Sequence, residues 1–292
     1  MAQTSYDTPM MRQYLDLKGQ VPDALLFYRM GDFYELFFED AEVAASVCEL
    51  TLTSRNSKDP DPIPMCGVPH HAADNYLRRL VDGGHKVAIA EQVDTPGEVK
   101  PKLMRRELVR VVSPGIPWDS DQIEASEACY LMAMYGDETW GLAFLDVSTG
   151  ELRVTETASI DLAIREIQRL SPKEAILPEG ATSAETVQAA LSGIPNTQVE
   201  GSWFDEEAAH RGLNDLFGTH DLSGFGAGGL GPSLRAANAL ISYVRDTARV
   251  GLEHIRELRP YSVEGHMVLD QTTRRNLEIF RPLRGQGRKG TL

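Results

Sequence analysis

The chain of 292 residues lacks any apolar run near the roughly 18 residues that a membrane-spanning helix needs. Its first residues, Met1 to Tyr6, contain neither the basic segment nor the apolar segment of a secretory signal. We therefore expect no membrane association and a cytoplasmic location.

Cysteine is also scarce. Cys48, Cys66 and Cys129 are odd in number and widely spaced, which argues against a disulfide framework and fits a reducing compartment. Cys66 lies close to His70 and His71, a grouping that suggests zinc. No second Cys or His pair follows at ligand spacing, so we predict no metal site.

Basic residues are fewer than acidic residues, which gives a net charge of −14. The deficit is uneven: residues 1–118 carry 13 Lys and Arg against 17 Asp and Glu, whereas residues 119–255 carry 8 against 22. Residues 256–292 carry 8 against 4. The middle segment is thus a poor candidate for binding phosphates, while the two ends are not excluded.

The most informative stretch is Leu25–Phe37, in which two apolar, aromatic runs flank Gly31-Asp32. Gly and Asp tolerate the positive φ of a tight turn, so the pattern predicts a β-hairpin. Phe33 and Glu35 are two residues apart and would point to the same face of the second strand. A large aromatic and a carboxylate on one face suggest contact with something outside the protein. The alternative is a surface hairpin with Phe33 in the core and Glu35 merely solvated.

The rest of the first region, residues 1–118, predicts an α/β domain. Thr8-Pro9 is typical of a helix start. The predicted elements are helices over 9–18, 39–50 and 71–81, strands over 51–53, 86–90 and 108–112, and a polar, proline-broken loop over 55–62.

The second region, residues 119–255, predicts three strands joined by short turns, over 128–135, 140–147 and 151–156. Helices and strands then alternate, with helices over 161–170, 183–191, 206–216 and 233–248 and strands over 175–177 and 197–199. A β-meander followed by such alternation is the order of a ribonuclease H-like α/β fold. From residue 256 the chain is Arg-rich, with a helix predicted about 270–279. No core is completed there, so we expect a longer parent protein.

Five motifs in order give the chain a resemblance to the N-terminal part of the MutS family of DNA mismatch-recognition proteins. They are Phe27–Phe37, Ile63–Ala72, Ala88–Gln92, Val111–Gly115 and Leu269–Glu278. The resemblance implies a mixed-sheet α/β mismatch-binding domain over 1–118, a ribonuclease H-like connector domain over 119–255 and the start of a helical lever domain over 256–292.

The resemblance also implies roles and partners. Phe33 would enter the minor groove and stack on a mispaired or looped base in double-stranded DNA, and Glu35 would hydrogen-bond that base. The implied partners are MutL, through the connector, and a second copy of the full-length protein. ATP and magnesium would act in an ATPase domain that is missing here, and the protein would be associated with the nucleoid.

The physical chemistry of a wedge agrees with this reading. An apolar wedge kinks a duplex at a cost of a few kcal/mol of unstacking, and the cost is lower at a mispaired base. Because phosphate repels a carboxylate, Glu35 helps only if it accepts a base N–H or becomes protonated.

Several further side chains are candidates for DNA contact. Basic residues that could reach phosphates are Arg55, Lys58, Lys100, Lys102, Arg105 and Arg106, although an ordinary solvated surface explains each equally well. Met30 and Met65 could flank the wedge, or could simply belong to the core.

Two other functions remain open. Asp146 and Glu151 raise the possibility of a metal-dependent nuclease, but no set of three or four acids stands out at strand ends. A protein-docking scaffold without DNA binding is the other alternative. The glycines of 224–231 have no following Lys-Ser/Thr, and Gly285 to Thr291 is only a near miss to a P-loop. We therefore expect no catalytic residues in this chain and no ATP hydrolysis by it.

Overall fold

The structure is a computed structural model that describes residues 8–56, 61–93, 104–116, 128–136, 138–181, 185–248, 251–264 and 276–277. The chain divides into two compact units, one of residues 1–118 and 246–250 and one of residues 119–245 and 251–292. None of the described helices combines the length and the apolar character that crossing a membrane requires.

The first unit is a six-stranded mixed sheet with helices on both faces. The strands lie in the order β3-β4-β2-β1-β5-β6, with β1 and β5 parallel and the other neighbours antiparallel. Its elements are α1 (Pro9–Gln20), β1 (Ala24–Met30), β2 (Phe33–Phe37), α2 (Phe38–Cys48), β3 (Thr53–Arg55), β4 (Ile63–Pro69), a 3₁₀ turn (His70–Ala72), α3 (Ala73–Asp82), β5 (Lys86–Gln92) and β6 (Arg106–Val112).

Each face of this sheet has its own apolar core. Alternate strand residues such as Phe27 and Leu36 pack with α2 and α3 on one face. Leu26 and Tyr28 face the other way and pack with Met11 and the rest of α1. The predicted start of α1 is confirmed, because the Thr8 hydroxyl caps it by accepting from the Met11 N–H at 3.3 Å.

A buried carboxylate joins α1 to the strands. Asp40 of α2 is 6% exposed, and its oxygens accept from Lys18 Nζ at 2.9 Å, the Leu26 N–H at 3.0 Å and the Tyr14 hydroxyl at 3.3 Å. Lys18 also donates to the Ala24 carbonyl at 2.7 Å. This cluster fixes α1 against β1 and the start of α2.

The second unit is also a six-stranded mixed sheet, in the order β11-β10-β7-β8-β9-β12. The predicted meander is confirmed, since β7, β8 and β9 are antiparallel neighbours, and the later strands β10, β11 and β12 join in parallel. Its elements are β7 (Tyr130–Tyr135), β8 (Trp140–Asp146), β9 (Glu151–Thr157), α4 (Ile160–Leu170), β10 (Glu174–Pro178), α5 (Glu185–Ala190), β11 (Asn196–Val199), α6 (Glu206–Phe217), α7 (Pro232–Ala248) and β12 (Glu257–Pro260).

The start of α7 packs closely on β8. A Cβ on Gly141 would lie 2.1 Å from the Ser233 nitrogen, so only glycine fits there. The Glu156 carboxylate accepts from the N–H groups of Gly231 and Ser233, each at 2.9 Å, and so satisfies donors at the helix start.

Three details of the sequence-based predictions differ from the structure. The segment 63–69 forms β4, although no strand was predicted there, and the helix predicted from residue 71 begins at Ala73 after a 3₁₀ turn. The segment 257–260 was assigned to a third region but forms β12, which pairs with β9 of the second sheet. Most of the helix predicted over 270–279 lies outside the described residues.

The Asp40 cluster gives a test of the first unit's packing. We expect Asp40→Ala to lower the free energy of unfolding by about 3 kcal/mol, because it leaves buried donors and a partly buried ammonium without an acceptor. Urea unfolding followed by circular dichroism measures the change. Glu39→Ala, at the exposed neighbouring position, is the matched control and should cost less than about 0.5 kcal/mol. Equal losses in the two variants would contradict the assignment.

Candidate nucleic-acid interface

The predicted hairpin is confirmed. β1 and β2 are antiparallel, with Met30 opposite Phe33 and Tyr28 opposite Glu35, and Gly31 adopts a φ of 60° in the turn. Two hydrogen bonds hold the turn: Arg29 Nε donates to the Gly31 carbonyl at 2.5 Å, and the His70 N–H donates to the Asp32 carbonyl at 2.8 Å. The loop that presents Phe33 is therefore fixed from both sides.

The inward face of β2 anchors the hairpin. Tyr34 is 5% exposed and Leu36 is fully buried, both in the core under α2 and α3. The Tyr34 hydroxyl donates to the Glu91 carboxylate, and the Arg29 guanidinium lies 5.5 Å from the centre of the Tyr34 ring. Burial and the bond to Glu91 raise the pKa of Tyr34, so its hydroxyl stays a donor.

The outward face of β2 carries the two predicted recognition residues. Phe33 is 47% exposed, and Glu35 is half-buried beside it. Phe37, the next residue on this face, is fully buried among the residues that contact α1. The covered part of the face thus ends between Phe37 and Phe33, and the hairpin tip is left open.

The surface of the sheet next to Phe33 is formed by the backbone of a glycine in β4. Gly67 of β4 lies opposite Glu35, and Pro69 lies opposite Phe33. A Cβ built on Gly67 would meet Cδ1 of the Phe33 ring at 3.7 Å, which is ordinary van der Waals contact. The ring therefore rests over Gly67, and no side chain of β4 separates it from the carboxylate of Glu35 at that position.

Glu35 is poorly solvated and poorly paired. Its side chain is 21% exposed, and Nη1 of Arg55 on β3 lies 3.7 Å from its Oε2. Among the described residues, none makes a hydrogen bond to that buried oxygen. Burial raises the pKa of Glu35, and the positive charges of Arg55 and Arg106 oppose the rise only in part.

The structure places the methionine candidates next to the hairpin. Met30 is half-buried and directly opposite Phe33. Met65 is half-buried on β4, opposite Phe37, where it packs with the α1 core. Of the two methionines, Met30 is the one directly opposite the exposed ring.

The basic candidates differ in accessibility. The side chain of Arg105 is 75% exposed beside Glu107, and that of Arg55 is 33% exposed. Lys58, Lys100 and Lys102 lie outside the described residues.

Arg106 corrects a prediction. It is 7% exposed, its Nε donates to the Arg29 carbonyl at 2.5 Å, and its Nη1 donates to Gln13 Oε1 at 3.1 Å and the Met104 carbonyl at 2.9 Å. Its guanidinium also lies 4.5 Å from the centre of the Tyr28 ring. These bonds tie β6 to the base of the hairpin, so we assign Arg106 a structural role in place of a phosphate contact.

Sequence reasoning missed the contribution of β4. The motif Ile63–Ala72 contributes to the family resemblance, but its two prolines and one glycine give it no clear strand pattern, so the sequence does not predict Gly67 and Pro69 beside Phe33. A glycine facing an aromatic residue across a sheet cannot be found from periodicity, because glycine has no hydrophobic face of its own.

The described residues give little support to a metal-dependent nuclease or to a zinc site. They contain no group of three or more His, Cys, Asp or Glu side chains placed to hold a metal ion. Asp146 is 3% exposed, and its Oδ1 accepts from the Ser148 N–H and hydroxyl within the turn after β8. Cys66 is buried, and burial raises the pKa of its thiol to about 11, which disfavours the thiolate that zinc needs.

Comparison with known proteins gives two family matches. Residues 8–121 match the family profile "MutS domain I", and residues 129–256 match "MutS domain II". Proteins named "DNA mismatch repair protein MutS" are similar over nearly the whole chain. The one from Desulfosudis oleivorans is 45% identical over 98% of this chain and 33% of its own length. Those from Desulfatibacillum aliphaticivorans and Syntrophobacter fumaroxidans are 43% and 44% identical, each over 98% of this chain and 32% of its own length. The chain thus spans about a third of the length of these relatives.

The raised pKa of Glu35 gives a pH-dependent stability. The folded chain holds this proton more tightly than the unfolded chain does, so the stability contributed by Glu35 is present below its ordinary pKa and is lost as pH rises through the raised value. We expect Glu35→Gln to stabilise the protein at pH 7, by up to about 1 kcal/mol, and to have little effect near pH 4.

Thermal unfolding of both proteins across this pH range measures the difference. Glu39→Gln, at an exposed site of α2, is the control and should show no such trend. A Glu35→Gln variant that is less stable at pH 7 than at pH 4, relative to the unsubstituted chain, would contradict the assignment.

Proposed function

The chain belongs to the MutS family of DNA mismatch repair proteins, and we propose that its first unit recognises mispaired or looped bases in duplex DNA by inserting Phe33 into the minor groove. The observation that carries the proposal is the hairpin itself. An aromatic ring that is 47% exposed stands beside a carboxylate on a turn whose reverse side is buried. Such a ring is costly to leave in water and is supported well enough to push against a base stack.

The wedge selects by deformability. Inserting an apolar side chain between base steps costs a few kcal/mol of unstacking, and a mispaired base has already lost part of that stacking. Stacking of a base on the ring contributes about 1–3 kcal/mol of binding free energy. The balance favours insertion at a mismatch and disfavours it in a paired duplex, without any reading of sequence.

Glu35 reads the displaced base. The Phe33 ring rests over Gly67, which lies opposite Glu35 on β4, so a base that stacks on the ring lies beside the carboxylate. An ionised Glu35 can accept a base N–H released from pairing, and a protonated one can donate to a base acceptor. Burial of the carboxylate raises its pKa and supports the protonated form, which phosphate does not repel.

Electrostatics supports the first unit as the DNA-binding part. Residues 1–118 are close to charge balance, whereas residues 119–255 hold 22 acidic against 8 basic residues. We propose Arg55 and Arg105 as phosphate contacts, because both are accessible and close to the hairpin or to β6.

The remaining partners follow from the family. We propose that the acidic second unit docks MutL, that the full-length protein acts as a homodimer, and that ATP and magnesium control it from outside this stretch. This stretch itself is proposed to bind DNA without catalysing a reaction.

Phe33 is the direct test. We expect Phe33→Ala to reduce the preference for a duplex with one unpaired thymidine over the fully paired duplex by about 2 kcal/mol, some 30-fold, because the stacking contribution is lost. Competition binding at low ionic strength measures this ratio, since phosphate contacts are strongest there.

Leu15→Ala is the matched control. Leu15 is 44% exposed, on α1, and its replacement removes a similar exposed apolar surface away from the hairpin. The control should keep the full preference. A Phe33→Ala chain that folds normally and still discriminates as well as the control would refute the wedge.

A further inference from the structure

The ion pair between Arg55 and Glu35 points to a further role for Arg55, and this inference rests on the proposed function. We propose that Arg55 is a specificity-determining residue: an exchangeable counter-ion that keeps Glu35 ionised in the free protein and moves to a DNA phosphate in the complex. The loss of this counter-ion then allows Glu35 to become protonated beside the mispaired base.

The contact between the two side chains is electrostatic only. Arg55 Nη1 lies 3.7 Å from Glu35 Oε2, which is within range of an ion pair and beyond the range of a hydrogen bond. The buried Oε2 accepts from none of the described donors. Among the described residues, this oxygen is therefore held by charge, and no directional bond between Arg55 and Oε2 must break when the cation leaves.

The position of Arg55 allows its side chain to move away from Glu35. Arg55 ends β3, a three-residue strand that pairs with β4 and lies at the edge of the sheet formed by the described strands. Its side chain is 33% exposed, and its guanidinium lies 5.8 Å from the centre of the Phe37 ring. An edge-strand arginine with a third of its surface in water can turn toward a phosphate, which binds guanidinium more strongly than an unbonded carboxylate does.

A second cation near Glu35 in the described part of the chain, Arg106, is held in place by its hydrogen bonds. Arg106 donates to the carbonyls of Arg29 and Met104 and to Gln13, and only 7% of it is exposed. Moving it toward DNA would break these bonds. Of the two cations, one is thus a fixed part of the fold and the other is exchangeable.

The described charged and titratable groups that face Glu35 are Arg55 from β3, Arg106 from β6 and Tyr28 from β1. Tyr28 donates its hydroxyl proton to Gln13 Oε1 at 2.6 Å and so does not satisfy the carboxylate. When Arg55 leaves, Arg106 is the cation that remains near Glu35 among the described residues.

The exchange is balanced in charge and protons. Arg55 remains a cation and changes its partner from carboxylate to phosphate. Glu35 takes one proton from solvent, forming one O–H bond, and can donate it to an acceptor on the base that Phe33 exposes. A paired duplex offers no base in that position, so the donor remains unused there and the complex is weaker.

The first arm of the test uses the free protein and no DNA. Carbon-detected NMR of the Glu35 carboxyl gives its titration midpoint in the unsubstituted chain and in the Arg55→Gln, Arg55→Lys and Arg105→Gln variants. We expect Arg55→Gln to move the midpoint to higher pH, Arg55→Lys to restore it, and Arg105→Gln to leave it unchanged. A midpoint that is unaffected by Arg55→Gln would overturn the proposal whatever DNA does.

The second arm measures the preference for the unpaired-thymidine duplex over the paired duplex as a function of pH. By linkage, proton uptake on binding makes the preference fall as pH rises through the Glu35 midpoint. In Arg55→Gln the fall should begin at higher pH and be smaller, by roughly fivefold in total. In a Glu35→Gln background, Arg55→Gln should no longer alter the profile.

The results distinguish a failure of the proposed mismatch recognition from a failure of the proposed role of Arg55. If the unsubstituted chain shows no mismatch preference, the proposed function fails and this inference fails with it. If the preference is present and the Arg55→Gln profile overlays that of the unsubstituted chain, Arg55 is a plain phosphate contact and this inference alone is refuted.

Discussion

The interface depends on the two-sided packing of β2. Successive residues of a strand point to opposite faces, so burial of Tyr34 and Leu36 under α2 and α3 turns Phe33 and Glu35 outward. The bond from Tyr34 to Glu91 and the bonds to the turn carbonyls keep the strand in this register. A slip of one residue would place the recognition pair in the core and expose the anchors. The apolar core of the first unit is thus what holds Phe33, the proposed wedge, at the surface.

The extent to which α1 covers one face of the sheet determines which part of that face is exposed. The core under α1 includes Phe37 and Tyr28 and stops short of the hairpin tip. Beyond that edge the sheet face holds an exposed ring over a glycine, and a half-buried carboxylate that faces two arginines, Arg55 and Arg106. The exposed ring and the poorly paired carboxylate are mildly unfavourable in the free protein. Our proposal is that a duplex with a loosened base covers both groups.

Much of the fold was predictable because its signals are local. The Thr8-Pro9 start of α1, the Gly31-Asp32 turn and the meander of the second unit all follow from turn and capping chemistry, and the structure confirms them. β4 and β12 were missed because prolines or short length hide them, and both are stabilised by pairing with strands distant in sequence. Arg106 illustrates the same limit: a basic residue in a basic segment suggests phosphate contact, and only the tertiary fold shows that its donors are already used. The sequence also predicts Phe33 and Glu35 on one face of the hairpin, but the ion pair of Glu35 with Arg55 depends on a sheet register that no pattern encodes.

The central claim is that the Phe33 ring stacks on the mispaired base. Isotope-filtered NOE spectroscopy on the complex, with labelled protein and an unlabelled duplex carrying one unpaired thymidine, tests it most directly. The account predicts contacts between Phe33 ring protons and protons of the unpaired or adjacent base, and none to bases of the fully paired duplex. NOEs from other residues to the DNA, with the Phe33 ring showing no contact to any base, would contradict it.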